Sequence, residues 1–324
     1  MRTSIRIATV VVGLMVAGAC LAQGAAGYPN RPMRLVVPFA AGGTNDTIGR
    51  IVADRLSTHL GQPIVVDNRG SANTVVGCEI VAKAKPDGYT LIIVGAGFAV
   101  NPSLVKSLPY DTLRDFAPIG LVGSGPYLLV VHPSVPAKNV TEFIAWAKAR
   151  PGQVNYASTG VGSPPHLAAE LLRTMAGLDL VHVPYKGGGA VLPDLLSGRI
   201  PMFFGSVSTL APHIRSGKLR GIAMTTPTRS PSMPELPTFI ESGLKGYDVT
   251  GWYGILAPGK TSGAIIKRVN ADLRQVLDNP DTQKQLALRG IDPLPGSPAD
   301  FAELIRREIP IWAKVLKAAG IKPE

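Results

Sequence analysis

The chain has 324 residues, enough for one large domain or two smaller ones, and 45% of them are hydrophobic, which allows a sizeable core. This composition excludes a disordered or fibrous protein. The formal net charge is +11, but the lysines and arginines are scattered and no basic run is interleaved with aromatic residues, so we predict no nucleic-acid partner. A positive field of this kind attracts small anions.

The chain begins with a predicted secretory signal peptide, residues 1–26, which directs the protein to the periplasm. Two arginines precede an apolar run that is too short to span a bilayer comfortably. Small residues offer cleavage after Ala22 or after Ala26, and loss of the two arginines lowers the formal charge from +11 to +9. Lipid attachment at Cys20 is an alternative, although the usual leucine three residues before such a cysteine is missing. No later stretch is long and apolar enough to span a bilayer.

A strand, a glycine loop and a helix open the mature chain. Residues 35–37 predict a buried strand that Pro38 ends, residues 40–43 are small, and apolar residues from Ile48 onward recur at helical spacing. The free N–H groups at the start of a helix suit an anion. The alternative is an ordinary strand-to-helix turn whose glycines serve only the backbone geometry.

Strands and helices alternate along the rest of the chain. Predicted strands cover residues 63–67, 89–94, 117–122, 127–131, 154–156, 180–185, 200–204, 219–225 and 251–256. Predicted helices cover residues 73–83, 140–149, 164–175, 191–196, 208–215, 262–277, 281–289 and 298–319, the last with a kink at Pro310. This alternation indicates an α/β protein whose mostly parallel sheets are flanked by helices.

The pattern of the opening stretch recurs in the second half, where a strand leads through residues 158–163 into a helix with prolines in its first turn. Two such loops facing each other across a cleft predict a binding site. The glycines that allow backbone N–H groups close to a ligand are Gly42, Gly43, Gly160 and Gly162. The hydroxyls that can donate to a carboxylate belong to Thr44, Ser158, Thr159 and Ser163.

Further predicted ligand contacts lie at or near strand ends: Phe39, Asp46, Gly97, Tyr185 and Ser206. Asp46 is favoured by the helix dipole but would repel a carboxylate beside it, so a loop-fixing role is slightly preferred. Phe39 either covers a ligand or packs inward, and both interpretations stay open.

The sequence lacks the motifs of common enzymes, P-loops and metalloproteases, and its histidines are not paired at metal spacing. Ser158 or Ser163 with His166 would be a nucleophile and a base, but the spacing of Ser163 and His166 is more typical of helix capping. We predict no enzymatic activity, no cofactor and no metal, with an exported hydrolase as an alternative. Cys78, the one cysteine left after cleavage, is predicted to be buried, as are Trp252 and Tyr253.

Ordered sequence blocks along the whole mature chain carry a family resemblance. They are YPNRP at 28–32, VPFAAGG at 37–43 with Asp46, KPDGYTL at 85–91, NPSL at 101–104, LPYD at 108–111, GVGS at 160–163 with HLA at 166–168, VHVPYKG at 181–187, PHI at 212–214, GKL at 217–219 and WYGILAP at 252–258. The mature chain resembles the Bug-type periplasmic solute-binding proteins of tripartite tricarboxylate transporters.

The resemblance implies a two-lobed, type II (Venus flytrap) fold that closes on a small ligand. Residues 27–122 with 228–324 form the first expected lobe, and residues 123–227 form the second. The family captures carboxylated compounds, and the loops matching residues 39–44 and 158–163 grip one carboxylate, partly through ordered waters. One departure is that many members have a Phe-Asp pair where this chain has Phe204 and Gly205, which leaves more room there and disfavours an amino-acid ligand.

The implied partners are a small carboxylated ligand and either membrane transporter subunits or a sensor kinase. A receptor that feeds a signalling system is therefore an alternative to one that serves uptake. We expect the protein to be a monomer.

Overall fold

A computed structural model describes residues 27–39, 41–71, 74–185 and 188–323. The predicted signal peptide, its two cleavage sites and Cys20 lie outside the described residues. The strands are β1 (Met33–Val37), β2 (Ile64–Asn68), β3 (Thr90–Gly95), β4 (Phe116–Gly125), β5 (Tyr127–Val131), β6 (Val154–Ser158), β7 (Leu180–Pro184), β8 (Met202–Ser206), β9 (Arg220–Met224), β10 (Gly251–Pro258) and β11 (Asp292–Pro293). The helices are α1 (Thr44–Leu60), α2 (Val75–Ala82), α3 (Gly97–Leu104), α4 (Val140–Lys148), α5 (Pro164–Ala176), α6 (Gly188–Leu196), α7 (Val207–Arg215), α8 (Gly263–Asp278), α9 (Pro280–Ala287) and α10 (Pro298–Ala318).

The described strands form two sheets, which confirms the two-lobed α/β architecture. Strand order is β11-β4-β10-β3-β1-β2 in the first sheet and β7-β6-β8-β5-β9 in the second. We call the parts built on them lobe 1 and lobe 2. The sheets are mixed, so the expectation of mostly parallel sheets is corrected. Only β1–β2, β1–β3, β6–β7 and β6–β8 pair in parallel among the described strands, because the strands next to the crossings between lobes run against their neighbours.

The chain passes from lobe 1 to lobe 2 at Pro126, between β4 and β5, and returns along the segment between β9 and β10. That returning segment contacts both lobes. Phe239 packs 5.9 Å (ring centroids) from Phe204 of lobe 2, whereas the Ser230 hydroxyl donates to Asp292 of lobe 1 at 2.9 Å. A lobe boundary at residues 122/123 and 227/228 therefore stays a prediction.

The central strands of lobe 1 are buried on both faces. Along β3, Leu91 and Ile93 pack into one apolar cluster and Ile92 and Val94 into the other, because successive side chains point to opposite faces of a sheet. Full burial of such a side chain stabilises the fold by roughly 1.5–3 kcal/mol. The sheet therefore fixes the carboxyl-terminal end of β1, and the connection to α1 follows that end.

One described helix was not predicted. Helix α3 is short, begins at Gly97 and contains Pro102, features that obscure a helical pattern. Helix α10 runs across Pro310 and begins with a capping box between Ser297 and Asp300. No described helix combines the length and apolar character needed to cross a bilayer.

Candidate functional site

A cavity of about 340 Å³ lies between the lobes, and we call it the main cavity. The connection between β1 and α1 (loop 1) and the connection between β6 and α5 (loop 2) contribute to its walls from opposite lobes. Phe39 of loop 1 and Gly160 of loop 2 are among its lining residues. The two loops therefore do share a cleft.

Asp46, in the first turn of α1, holds loop 1. The Gly42 N–H donates to Asp46 Oδ2 at 2.8 Å, Arg50 Nε donates to the same oxygen at 3.1 Å, and Asn68 Nδ2 donates to Oδ1 at 3.0 Å. Burial raises the pKa of Asp46, but the hydrogen bonds from Arg50, Gly42 and Asn68 outweigh this effect and the net pKa lies below its ordinary value. Both carboxylate oxygens are engaged within the protein.

A network of hydroxyl groups holds loop 2. The Ser163 hydroxyl donates to the Gly160 carbonyl at 2.7 Å, and the Ser158 hydroxyl donates to the same carbonyl at 3.1 Å. The Ser158 oxygen also accepts from the Gly160 N–H at 3.1 Å and lies 2.6 Å from His182 Nε2. Because Ser158 has one proton, His182 donates when that proton goes to Gly160. The two serines thus shape the loop.

His166, in the first turn of α5, also supports loop 2. Its Nδ1 accepts the Gly162 N–H at 3.0 Å, so the ring is neutral with its proton on Nε2. The ring stacks on His182 with centroids 4.1 Å apart, and the Tyr156 ring lies 5.0 Å from His182 and 6.3 Å from His166. Burial, with smaller effects from His182 and Arg173, lowers the pKa of His166 to about 4.

The helix starts offer different numbers of backbone donors. The residue before helix α1 is Gly43, which has no side chain, so no side-chain hydrogen bond from this position caps the N–H groups of the first turn. Helix α5 begins with Pro164 and Pro165, which have no N–H group. The N–H groups of Gly160 and Gly162 donate to Ser158 and His166, so the expected contributions of these glycines and of this helix start to anion binding are reduced.

The predicted site residues separate into three groups. Phe39, Gly97, Thr159, Gly160, Gly162 and Ser163 line the main cavity. Thr44, Thr159 and Ser206 line a second cavity of about 200 Å³, which shares Tyr127, Thr159 and Tyr253 with the main cavity. Gly42, Gly43, Asp46, Ser158 and Tyr185 do not line either cavity. The Tyr185 hydroxyl instead donates to Asp194 at 2.7 Å.

Gly205 lies against both packed side chains and a cavity. A Cβ at this position would lie 2.6 Å from side-chain atoms of both Phe203 and Leu210. Gly205 and Ser206 nevertheless line the second cavity. The expectation of space for a larger ligand group at this strand end therefore stays a prediction.

Several polar residues at the cavity walls, among them Asn45, Tyr127 and Tyr253, were not predicted as ligand contacts. Asn45 lines the main cavity, and its Oδ1 is buried without a hydrogen-bond partner among the described residues. Tyr127 and Tyr253 stand on β5 and β10, beside the crossings, and line both cavities. Burial raises the pKa of Tyr127 to about 12 and that of Tyr253 further, so both hydroxyls are neutral donors. Tyr253 was predicted as core because its neighbours in sequence are apolar.

Neither Ser158 nor Ser163 is paired with His166 as a nucleophile with its base. Ser158 has 0% exposure, and His166 Nδ1 is occupied by the Gly162 N–H. Across the described residues, no hydrogen bond joins Ser163 to His166, and no group of three His, Cys, Asp or Glu side chains could hold a metal ion. The geometry instead stabilises the loop that faces the cavity.

The chain is similar to known proteins along most of its length. The family model described as "Tripartite tricarboxylate transporter family receptor" (TctC) matches residues 48–321. Protein BugT of Bordetella pertussis is 36% identical over 316 residues, which cover 96% of this chain and 97% of BugT.

Two solved structures from Rhodopseudomonas palustris share the fold. Rpa4515 with adipate has a TM-score of 0.78 and 36% identity, with 92% of this chain and 100% of that one covered. MatC with bound malate has a TM-score of 0.73 and 31% identity, with 89% and 100% covered. The chain therefore belongs to the TctC family of tripartite tricarboxylate transporter receptors, the periplasmic solute-binding proteins that include the Bug proteins.

Proposed function

We propose that this receptor captures a small carboxylated organic compound in the main cavity and delivers it to the membrane subunits of a tripartite tricarboxylate transporter. The observation that carries the proposal is the main cavity itself, which residues of loops 1 and 2 line from opposite lobes. Its described lining residues include no aspartate and no glutamate that would repel a carboxylate. The relatives crystallised with adipate and malate support the same ligand class.

Contacts across the cleft support a mechanism in which the lobes close on the ligand. Gly162 of loop 2 lies so close to Leu104 of lobe 1 that a Cβ on it would be 2.3 Å from Leu104 Cδ2. A second contact joins Gly290 of lobe 1 and Ser208 of lobe 2, where a Cβ on Gly290 would be 2.8 Å from Ser208 Cβ. Contacts that form only when the lobes meet allow a ligand to shift the equilibrium toward the closed state.

We further propose that residues 1–26 export the protein, that Thr44 and Thr159 donate to the ligand, and that the protein has no catalytic activity. Thr44 and Thr159 line the cavities, and no described residue forms a hydrogen bond with either side-chain hydroxyl. The buried position of Ser158 supports the absence of hydrolysis, since substrate cannot reach its oxygen.

Isothermal titration calorimetry of the mature protein tests the proposal. The panel contains adipate, malate, succinate and benzoate, and each acid is matched with its uncharged amide. We expect at least one acid to bind, with the amide of that acid binding about 100-fold more weakly or not at all, because charge-assisted hydrogen bonds to the carboxylate are lost. Folded protein that binds none of the acids, or binds amide and acid equally, would contradict the proposal.

A further inference from the structure

A buried carboxyl group is connected to the wall of the main cavity by one hydrogen bond. Glu308, in the middle of α10, is 8% exposed, and its Oε2 accepts two indole N–H groups, from Trp252 at 2.9 Å and from Trp312 at 3.2 Å. Trp252, on β10, is one of the residues that line the main cavity. A single residue therefore joins this carboxyl group to the cavity wall.

Glu308 forms no ion pair with a described residue. The buried carboxyl groups of Asp46 and Glu170, in contrast, pair with Arg50 at 3.0 Å and with Arg173 at 2.7 Å. Burial raises the pKa of Glu308 to about 7, and the hydrogen bonds from the two indoles offset only part of this effect. The group therefore gains or loses its proton near neutral pH.

Other charged groups act on Glu308 more weakly. Asp248, in the segment between β9 and β10, raises the pKa, and Arg307, the neighbour on α10, lowers it. Helix α10 also packs against α3 and β4, which carry no charged residue, and against α5 and α8. The titratable and charged residues of α5 and α8 are His166, Glu170, Arg173, Lys267, Arg268, Asp272, Arg274 and Asp278. None of them forms a hydrogen bond or ion pair with Glu308.

The geometry allows Glu308 to gain a proton without releasing Trp252. Both indoles donate to Oε2, whereas Oε1 accepts no hydrogen bond from a described residue. The proton can be carried by Oε1 while Oε2 remains the acceptor of both N–H groups. Protonation therefore changes the charge beside the cavity and leaves the position of the indole unchanged.

We propose that Glu308 is a positioning residue for Trp252 and that it takes up a proton from solvent when an anion binds in the main cavity. The ligand and an ionised Glu308 repel each other in the protein interior, where charges are poorly screened, so binding favours the protonated carboxyl group. By reciprocity the protonated protein binds the anion more tightly. Affinity therefore rises as the pH falls through neutrality. This inference rests on the proposed function, because it requires an anionic ligand in that cavity.

Calorimetry of the mature protein measures the proton uptake directly. The acid of highest affinity among adipate, malate, succinate and benzoate is titrated near pH 7.5 in phosphate and in Tris, two buffers that differ in ionisation enthalpy. The variant is Glu308→Gln, which keeps an oxygen acceptor for the indoles but cannot titrate. The matched control is Glu303→Gln on the same helix, where the glutamate is 70% exposed and pairs with Arg306.

We expect the wild-type protein to take up about 0.3–0.5 protons per bound acid and to gain about 3- to 6-fold in affinity between pH 8.5 and pH 6.5. Glu308→Gln should take up no proton and should bind with nearly the same affinity across this range. Glu303→Gln should behave like the wild-type protein. Without ligand, the fluorescence of the wild-type tryptophans should change with a midpoint near pH 7, and this change should be absent in Glu308→Gln.

The possible failures are distinguishable. Wild-type protein that binds an acid without proton uptake, or uptake that survives in folded Glu308→Gln, overturns the role of Glu308 and leaves the proposed function standing. Because the first of these measurements uses only the wild-type protein, it decides the question even if the variant is unstable. Folded wild-type protein that binds no acid of the panel overturns both.

Discussion

In both loops of the cleft, a glycine N–H donates to a side chain four residues later, in the first turn of the helix that follows. Gly42 donates to Asp46 at 2.8 Å, and Gly162 donates to His166 at 3.0 Å. The acceptor is an ionised carboxylate in loop 1 and a neutral imidazole in loop 2. The same local geometry is therefore obtained with two chemistries that respond to acid in different pH ranges.

The two loops also differ in their surroundings. Asp46 is neutralised by Arg50, whose side chain is 54% exposed, whereas His166 is stacked on His182 in the interior of lobe 2. A Cβ on Gly42 would meet nothing within 4 Å, whereas one on Gly162 would meet Leu104 of the opposite lobe. Loop 1 is thus a charged loop close to solvent, and loop 2 is a neutral loop at the contact between lobes.

The largest expected effect comes from Gly162→Ala compared with Gly42→Ala. Both glycines have positive φ, +73° and +85°, so each substitution costs about 1–2 kcal/mol of backbone strain. At Gly162 the clash with Leu104 adds about 1–3 kcal/mol. Urea unfolding in the presence of a bound acid that keeps the lobes closed should therefore show about 3 kcal/mol lost for Gly162→Ala and about 1 kcal/mol for Gly42→Ala. Combining Gly162→Ala with Leu104→Ala should recover part of the difference, and equal losses for the two glycine variants would contradict the contact.

Acidification should weaken loop 2 before loop 1. The folded pKa of His166, about 4, lies below the unfolded value, so the unfolded state binds an additional proton as the pH falls from about 6.5 to 4. Stability therefore falls over that window, by about 3 kcal/mol from this residue. The pKa of Asp46 is lowered, so its contribution is lost only as the pH falls below the ordinary range of a carboxyl.

Urea unfolding at several pH values measures this effect. His166→Gln should be less stable at pH 7 and should flatten the slope between pH 6.5 and 4, whereas His59→Gln, at an exposed position, should leave the slope unchanged. The other charged or titratable groups around His166 are His182, which stacks on it, and Glu170 and Arg173 on the same helix. Both variants leave these groups unchanged. An unchanged slope in His166→Gln would assign the pH dependence to another group.

Removing the charge from loop 1 has the next largest expected effect. Asp46→Asn keeps the side-chain shape but replaces one acceptor by a donor that faces Arg50, Asn68 or the Gly42 N–H. We expect a loss of about 2 kcal/mol at pH 7. The matched control is Asp54→Asn on the same helix, where the aspartate is 81% exposed and 4.0 Å from Arg55, and where about 0.5 kcal/mol or less is expected. Similar losses in the two variants would show that Asp46 does not hold the loop.

The smallest expected effects come from two hydroxyl groups of loop 2. The Ser163 hydroxyl shapes the loop, and the Thr159 hydroxyl is proposed to bind the ligand. Ser163→Ala removes the hydrogen bond to the Gly160 carbonyl and should cost about 1 kcal/mol of stability. Thr159→Val removes a hydroxyl that has no described partner, so stability should change little while affinity for the bound acid falls about 10-fold. Calorimetry and urea unfolding on both variants measure the contrast, and an inverse pattern would exchange the two roles.

Much of the architecture was predictable because it depends on local pattern. Apolar runs such as 91–94 and glycine loops after them predicted the strand ends, and the recurrence of the pattern at 158–163 predicted two loops facing one cleft. The alternation of strands and helices predicted mostly parallel sheets. This prediction was wrong because local sequence pattern does not report strand direction. The direction depends on the strands beside the crossings between lobes, and these strands pair with partners that are distant in sequence.

Side-chain roles within the site were less predictable. Ser158 and Ser163 were predicted to donate to the ligand, but their hydroxyls form hydrogen bonds within loop 2. The sequence did not indicate this because the Gly160 carbonyl comes close to them only in the folded loop. Tyr253 was predicted as core because it lies in an apolar strand, but that strand begins beside the cavity. Asn45 follows Thr44 without any pattern that distinguishes it from a helix-capping residue.

The central claim is that a carboxylate holds loop 1 and a neutral imidazole holds loop 2, and amide hydrogen exchange at Gly42 and Gly162 tests it most directly. Nuclear magnetic resonance gives protection factors for both N–H groups from pH 7 to pH 4, corrected for the intrinsic effect of pH on exchange. We predict that the Gly162 amide loses protection with a midpoint near pH 4, while the Gly42 amide stays protected. Parallel loss at both glycines, or full protection of Gly162 below pH 4, would contradict the account.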